Sequence, residues 1–201
     1  MTPGFHSLWP TPMGVHRWPE AEALNPLLVR VFSALRLQQQ GAQAQPFFAS
    51  SDDLLQRIRL PEWQRFVQWL VGALRDTVTQ ANRGTWPAEH GATGLPLQLA
   101  IDGLWCQISN QGAFHDVHTH GNCSWSAVYC VQVDPEGQRV QHPTYGAANG
   151  VTRFYGPPFA QLGGAHVDLG NAYLQPPHVD VAPVPGQLVL FPSWLAHQAL
   201  P

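Results

Sequence analysis

Apolar residues fall into two regimes along the chain. Up to Asn82 they recur at helical spacing, and beyond it they alternate in short runs. In the first regime Asn25 and Pro26 read as an N-cap and N1 pair ahead of Leu27, Leu28, Val31 and Leu35, which predicts an amphipathic helix over 26–37. Pro61 opens a second helix, predicted over 61–81, in which Trp63, Phe66, Val67, Leu70, Leu74 and Val78 give the strongest helical period in the chain. Ser51, Asp52 and Asp53 cap a short helical turn through Ile58. The opening stretch from Leu8 to His16 is proline-punctuated and extended, and Gln38 to Gln45 reads as a polar connector.

In the second regime Leu97, Leu99 and Ile101 alternate, as do Leu104, Cys106 and Ile108, and then Trp125, Ala127, Tyr129, Val131 and Val133. Thr152 to Tyr155 and Gln187 to Phe191 read as further strands, with turn signals at Asp134-Pro-Glu-Gly137 and Asn149-Gly150. The expected class is α+β and mainly β: a single domain over 1–201, with 1–83 a helical support and 84–201 an antiparallel β core. The apolar stripes of the two helices should pack on one outer face of that core.

Composition narrows the chemistry. Charged residues make up 11% of the 201 and there is no lysine, so lysine Schiff bases, a phosphate-loop lysine and a lysine general base are excluded. Residues 1–83 hold eight of the ten arginines, while residues 84–201 hold two arginines, seven acids and eight of the ten histidines. No basic stripe supports nucleic-acid binding. Cys106, Cys123 and Cys130 lack metal or redox spacing and read as reduced thiols. No apolar run is long enough to cross a membrane, and the expectation is a cytoplasmic protein with no membrane partner.

Imidazole chemistry therefore belongs to the C-terminal half, but spacing alone selects nothing. In a chain with ten histidines about half of one H-x-H pair arises by chance. Context favours His118-Thr-His120, which precedes the alternating run from Trp125 and so reads as two imidazoles on one strand face. His197 follows a turn, an apolar strand and a second turn, at the start of the next strand. Two neighbouring ligands and one distant histidine, with open positions left over, suit a facial non-haem iron site. His115 fits the strand face poorly and reads as solvated or supporting. Asp116 could offer a carboxylate, and His142, His166 and His178 read as loop residues.

Three blocks resemble, in chain order, those of a group of 2-oxoglutarate- and Fe(II)-dependent oxygenases: Leu8-Trp-Pro-Thr-Pro12, His115 through Tyr129, and Pro185 through His197, with its Phe-Pro-Ser-Trp-Leu-x-His ending the most specific. That group is similar to the prolyl-hydroxylase-like superfamily, and the resemblance implies a double-stranded β-helix, a jelly roll of the cupin type. By position it implies metal ligands at His118, His120 and His197, with Fe(II) and 2-oxoglutarate as cofactors and Tyr129 near the cosubstrate. His120 stands where the superfamily usually has Asp, leaving a dication without protein charge, and Gly121 stands where the group usually has Pro. Family members continue past the position of His197 into a strand whose Arg grips the distal carboxylate; here Arg153 is the local substitute.

The function implied is a dioxygenase acting on a small-molecule or peptide substrate, with a homodimer as candidate assembly. The three histidines, barrel-mouth residues in this reading, should add little to core stability. Two alternatives stay open on the residues alone. One is a cupin-like metal dioxygenase that does not use 2-oxoglutarate, its neutral triad suiting Fe(II), Zn, Ni or Cu. The other is a non-catalytic jelly-roll binding module.

Overall fold

A computed structural model describes residues 11–41, 45–86, 96–110, 112–156 and 178–201. Its helices are α1 (Ala21–Gln40), α2 (Leu54–Arg57), α3 (Pro61–Asn82) and the short α4 (Glu136–Arg139). Pro61 sits at the N-terminus of α3, where its missing N–H costs nothing, and Trp63, Phe66, Ala73 and Thr77 line the buried face at steps of three, seven and four residues. The first helix starts five residues before the predicted boundary. Asn25 is no cap: it is buried inside α1 and accepts a hydrogen bond from the Tyr129 hydroxyl at 2.8 Å. The preceding turn is fixed instead by Glu20, whose carbonyl accepts from the Ala23 and Leu24 N–H groups, and burial of Leu24, Leu28 and Phe32 holds the helix through Pro26.

Among the described residues nine strands form three antiparallel sheets. In the first, β1 (Gly14–Arg17) and β5 (Trp125–Tyr129) flank β8 (Gln187–Pro192). In the second, β4 (His115–His118), β9 (His197–Ala199), β6 (Thr152–Tyr155) and β7 (His178–Val181) lie in that order. A two-stranded ribbon pairs β2 (Phe47–Ala49) with β3 (Gln107–Ser109). The expected mixture of helix and antiparallel sheet, with strands concentrated in the C-terminal part, is what the chain forms.

The organising strand is β8. Leu188 and Leu190 face α3 and pack with Ala73, Trp69, Leu70 and Leu74, while Val189 and Phe191 face the second sheet and pack with Phe154, Leu195 and Val181. Being covered on both faces, it reads as an unbroken apolar run rather than an alternating one. A second, larger core lies between α1, α3 and the ribbon around Leu24, Leu28, Phe48, Leu54, Trp63 and Phe66.

Several expectations are corrected. The alternation at 97–101 makes no strand, and Leu104 contributes only an isolated bridge to Asp53. Strand β5 ends at Tyr129 rather than Val133, and the Asp134–Gly137 turn is the start of α4. Both β1 and β2 come from the N-terminal region, so the sheets recruit residues expected to be helical support or linker. His178 lies on a strand, not in a loop, and His166 and Leu8–Pro10 lie outside the described residues.

The turn into β8 depends on Gly186, whose φ of 87° is left-handed and whose carbonyl accepts from the Trp18 N–H at 2.9 Å. A Cβ there would meet the Ala21 Cβ at 2.6 Å. Gly186→Ala should therefore destabilise the fold by about 2 kcal/mol or more. Gly72→Ala, inside α3 with open space around the added methyl, should stabilise it by roughly 0.5–1 kcal/mol. Denaturant unfolding of the two variants checks both signs.

Candidate metal centre

His118 ends β4, His120 lies just beyond it, and His197 opens β9. The ladder pairs His118 directly with His197, which puts both rings on the face turned toward the first sheet. His120 is placed by backbone bonds between two crossings from sheet to sheet. Its N–H donates to the Ser193 carbonyl at 2.9 Å, and the Ser193 N–H donates to the Ser124 carbonyl at 3.1 Å. The segment joining β4 to β5 is thus stitched to the segment joining β8 to β9.

One ligand atom from each of the three rings lies within 4.8 Å of the other two. Ring centroids are 4.2 Å apart for His118 and His197, 5.1 Å for His118 and His120, and 5.2 Å for His120 and His197. The donor set fits a first-row divalent metal, because the hydrogen bonds fix the tautomer. His118 Nδ1–H donates to the Asp116 carbonyl at 2.7 Å and His197 Nδ1–H donates to the Leu195 carbonyl at 3.0 Å. Each ring therefore presents the lone pair of Nε2, the arrangement by which backbone carbonyls orient ligating histidines.

Electrostatics favour the same state. Burial pushes the His197 imidazole down to about 4, and burial followed by the charge of His118 lowers His120. Both rings are therefore neutral near pH 7, as ligation requires. His197 is only 4% exposed and packs against Phe191 and Phe154, with ring centroids 4.7 and 5.9 Å away. The expectation that all three histidines contribute little to the core is wrong for His197.

Residues nominated for the cosubstrate are not brought to the triad. Tyr129 pairs with Leu188 on the helix-facing side of the first sheet, 4.6 Å from the Phe66 ring, and burial raises its phenol to about 12. Arg153 lies next to the inward-facing Phe154 and so on the outer face of the second sheet. There its Nε and Nη2 donate to the two Asp180 oxygens at 2.8 Å each. The other arginine of this half, Arg139, donates to the Asn149 carbonyl. Charges acting on His115, His120 and His197 come from one another, His118 and Asp116, with no arginine among them.

Of two further neighbours of the triad, Trp105 escaped the sequence reading and His115 was read there as solvated or supporting. Trp105, 41% exposed, has its ring 5.9 Å from that of His120. His115 stacks 4.0 Å from His118. The ladder pairs His115 with Ala199 and His118 with His197, so β4 carries one residue more than β9 between the pairs. That irregularity reverses the parity that argued against His115. A bulge leaves no mark in a hydrophobic pattern of four residues.

Residues 103–201 match the family described as "Putative 2OG-Fe(II) oxygenase". The match covers 99 of the 201 residues and supports a 2OG-Fe(II) oxygenase-like family. No curated protein matches the chain. The matched region begins after α3 and contains all three histidines of the triad, together with both sheet crossings that place them. Among the described residues no helix is long and apolar enough to cross a membrane.

His118→Ala, His120→Ala and His197→Ala should each abolish stoichiometric Fe(II) or Co(II) uptake measured by calorimetry on the apoprotein, and His178→Ala on β7 should leave it unchanged. Among the three, His197→Ala alone should also lower stability, by roughly 1–3 kcal/mol, since it empties a buried site between two aromatic rings.

Arg153→Leu should leave metal uptake intact and cost at most about 1 kcal/mol, the pair being partly exposed. The Arg153 hydrogen bonds hold the Asp180 carboxyl below its usual range. The wild-type excess stability is therefore full above about pH 4, the unfolded carboxylate value, and is lost as pH falls through the lower folded value. Unfolding curves at pH 3 and pH 7 test the sign.

Proposed function

We propose that the protein is an Fe(II)- and 2-oxoglutarate-dependent dioxygenase, built on a double-stranded β-helix, that hydroxylates a small-molecule or peptide substrate. The reading rests above all on the fixed tautomers of His118 and His197, which aim two Nε2 lone pairs beside His120 inside the oxygenase-family region. Two antiparallel sheets packed face to face across Phe154, Val189 and Phe191 support the jelly-roll architecture.

In this reading His118, His120 and His197 hold the iron. When bound, the metal with its 2-oxo acid and dioxygen supplies the oxidising chemistry. The chain's own part is binding, orientation and exclusion of water. The Asp116 and Leu195 carbonyls hold two imidazoles in the ligating tautomer, and Phe154 and Phe191 wall the buried side of His197 with apolar surface. Trp105, beside His120 and partly open to solvent, offers a flat apolar surface for substrate.

The fit to 2-oxoglutarate is poorer than the fit to the metal. Among the described residues Tyr129 faces the helices and Arg153 is committed to Asp180, so neither serves the distal carboxylate. This observation favours, as the second reading, a metal dioxygenase on the same scaffold that does not use 2-oxoglutarate. Anaerobic addition of Fe(II) and then 2-oxoglutarate separates the two. A visible metal-to-ligand charge-transfer band, followed by succinate release in air, is the expected result. Iron uptake without a band supports the second reading, and a chain that takes up no metal is a binding module.

A further inference from the structure

Of the four histidines gathered at this end of the sandwich, His118 and His197 are held with an Nε2 lone pair free, and His120 completes the close set. His115 is built the opposite way. Its Nδ1 faces the side-chain amide nitrogen of Gln107, on β3, at 3.4 Å. An amide nitrogen only donates, so His115 Nδ1 accepts, and in the neutral ring the proton then sits on Nε2. The Asp116 and Leu195 carbonyls force the reverse tautomer on His118 and His197. The ring is held at the triad from two sides, stacked 4.0 Å from His118 and packed 5.9 Å from the Phe47 ring on β2. It does not join the set of mutually close ligand atoms.

We propose that His115 is an outer hydrogen-bond donor rather than a fourth ligand: its Nε2–H binds an anionic oxygen or nitrogen ligand occupying the face of the metal centre that the three histidines leave open. The assignment rests on the metal-binding reading above. Three neutral imidazoles leave a bound dication uncompensated, so the exchangeable ligands are anionic, such as the carboxylate of a 2-oxo acid, and a donor beside them stabilises the negative charge. With Arg153 turned outward, His115 is the described side chain that the geometry offers for this work. The bulge in β4 is what delivers it, since regular pairing over His115–His118 would point its ring to the opposite face.

Co(II)-loaded protein titrated with azide tests this without turnover. Azide takes exchangeable positions on the metal and needs no cationic pocket, and the visible d–d bands report both metal loading and anion binding. His115→Phe, which keeps a ring but removes the donor, should bind Co(II) within about threefold of wild type and lose about tenfold in azide affinity, the size of one hydrogen bond to a charged partner. His115→Gln, which restores an N–H donor, should recover part of that loss. Gln107→Glu, whose carboxylate accepts from Nδ1–H and so moves the lone pair to Nε2, should weaken azide binding and tighten Co(II).

A His115→Phe variant that loses Co(II) as His118→Ala does would make His115 a ligand and overturn the assignment. Unchanged azide affinity with Co(II) bound would overturn it too, leaving the metal-site reading standing. Wild-type protein that takes up no Co(II) would overturn both. Thermal unfolding of each apoprotein shows whether a loss reflects the fold instead.

Discussion

The closing of the triad around His120 depends on two backbone hydrogen bonds between loops that each pass from one sheet to the other. The Ser193 carbonyl receives the His120 N–H, and the Ser193 N–H reaches the Ser124 carbonyl. Ser193 is 2% exposed, so breaking this stitch would leave polar groups buried without partners, at a cost of about 1–3 kcal/mol each. A loop outside the sheets acquires in this way the rigidity of a ladder. His120, on neither β4 nor β5, is thereby held as firmly as His118 and His197, which a real ladder pairs. The Ser193 hydroxyl extends the same knot, 2.9 Å from the Ser126 hydroxyl and 3.1 Å from Cys123 Sγ.

Behind this front β8 joins helix α3 to the site. Leu188 and Leu190 lock one face of the strand to α3, and Val189 and Phe191 carry that rigidity through to Phe154 and His197 on the other. Tyr129 belongs to the supporting side. Its hydroxyl ties β5 to Asn25 in α1, with its ring against Phe66, so it anchors helix to sheet. A partly buried tyrosine needs such a partner, and a buried asparagine does as well; each satisfies the other.

Helix α3, strands β6 and β8 and the histidine triad were legible because each carries its signal locally. A proline at N1 with a long apolar period gives α3, a buried run between turns gives β8, and H-x-H with a distant histidine is a spacing. What was illegible is set by contacts between distant residues. The early start of α1 follows from Leu24 and Asn25 meeting partners in the sheet core, which overrides the cap-like Asn25-Pro26 pair. The ribbon of β2 and β3 joins two three-residue segments too short to show a period. Tyr129 and Arg153 were assigned by strand position alone, whereas the face a residue occupies depends on register: Leu188 opposite Tyr129 and Asp180 opposite Arg153 decide it. His115 was kept out of the ligand set, as a solvated or supporting residue, by a strand-face rule that one inserted residue inverts.

The charge balance of the centre follows from the same placements. The half of the chain bearing the triad has seven acids and two arginines, and both arginines are engaged away from the histidines. Without metal the site therefore has no described arginine beside it and little to attract an anion. A divalent ion held by three neutral ligands keeps its full charge, and at the partly buried base of the site that charge is screened far less than it would be in bulk water. Anion affinity here would be conferred by the metal rather than by the protein, which orders the events: the ion first, then whatever anion completes its coordination. A triad containing a carboxylate would neutralise half of that attraction. The histidine at position 120 thus strengthens the site's pull on its exchangeable ligands and weakens its electrostatic hold on the ion itself, and the fixed tautomers of His118 and His197 offset part of that weakening by preparing the lone pairs before the ion arrives.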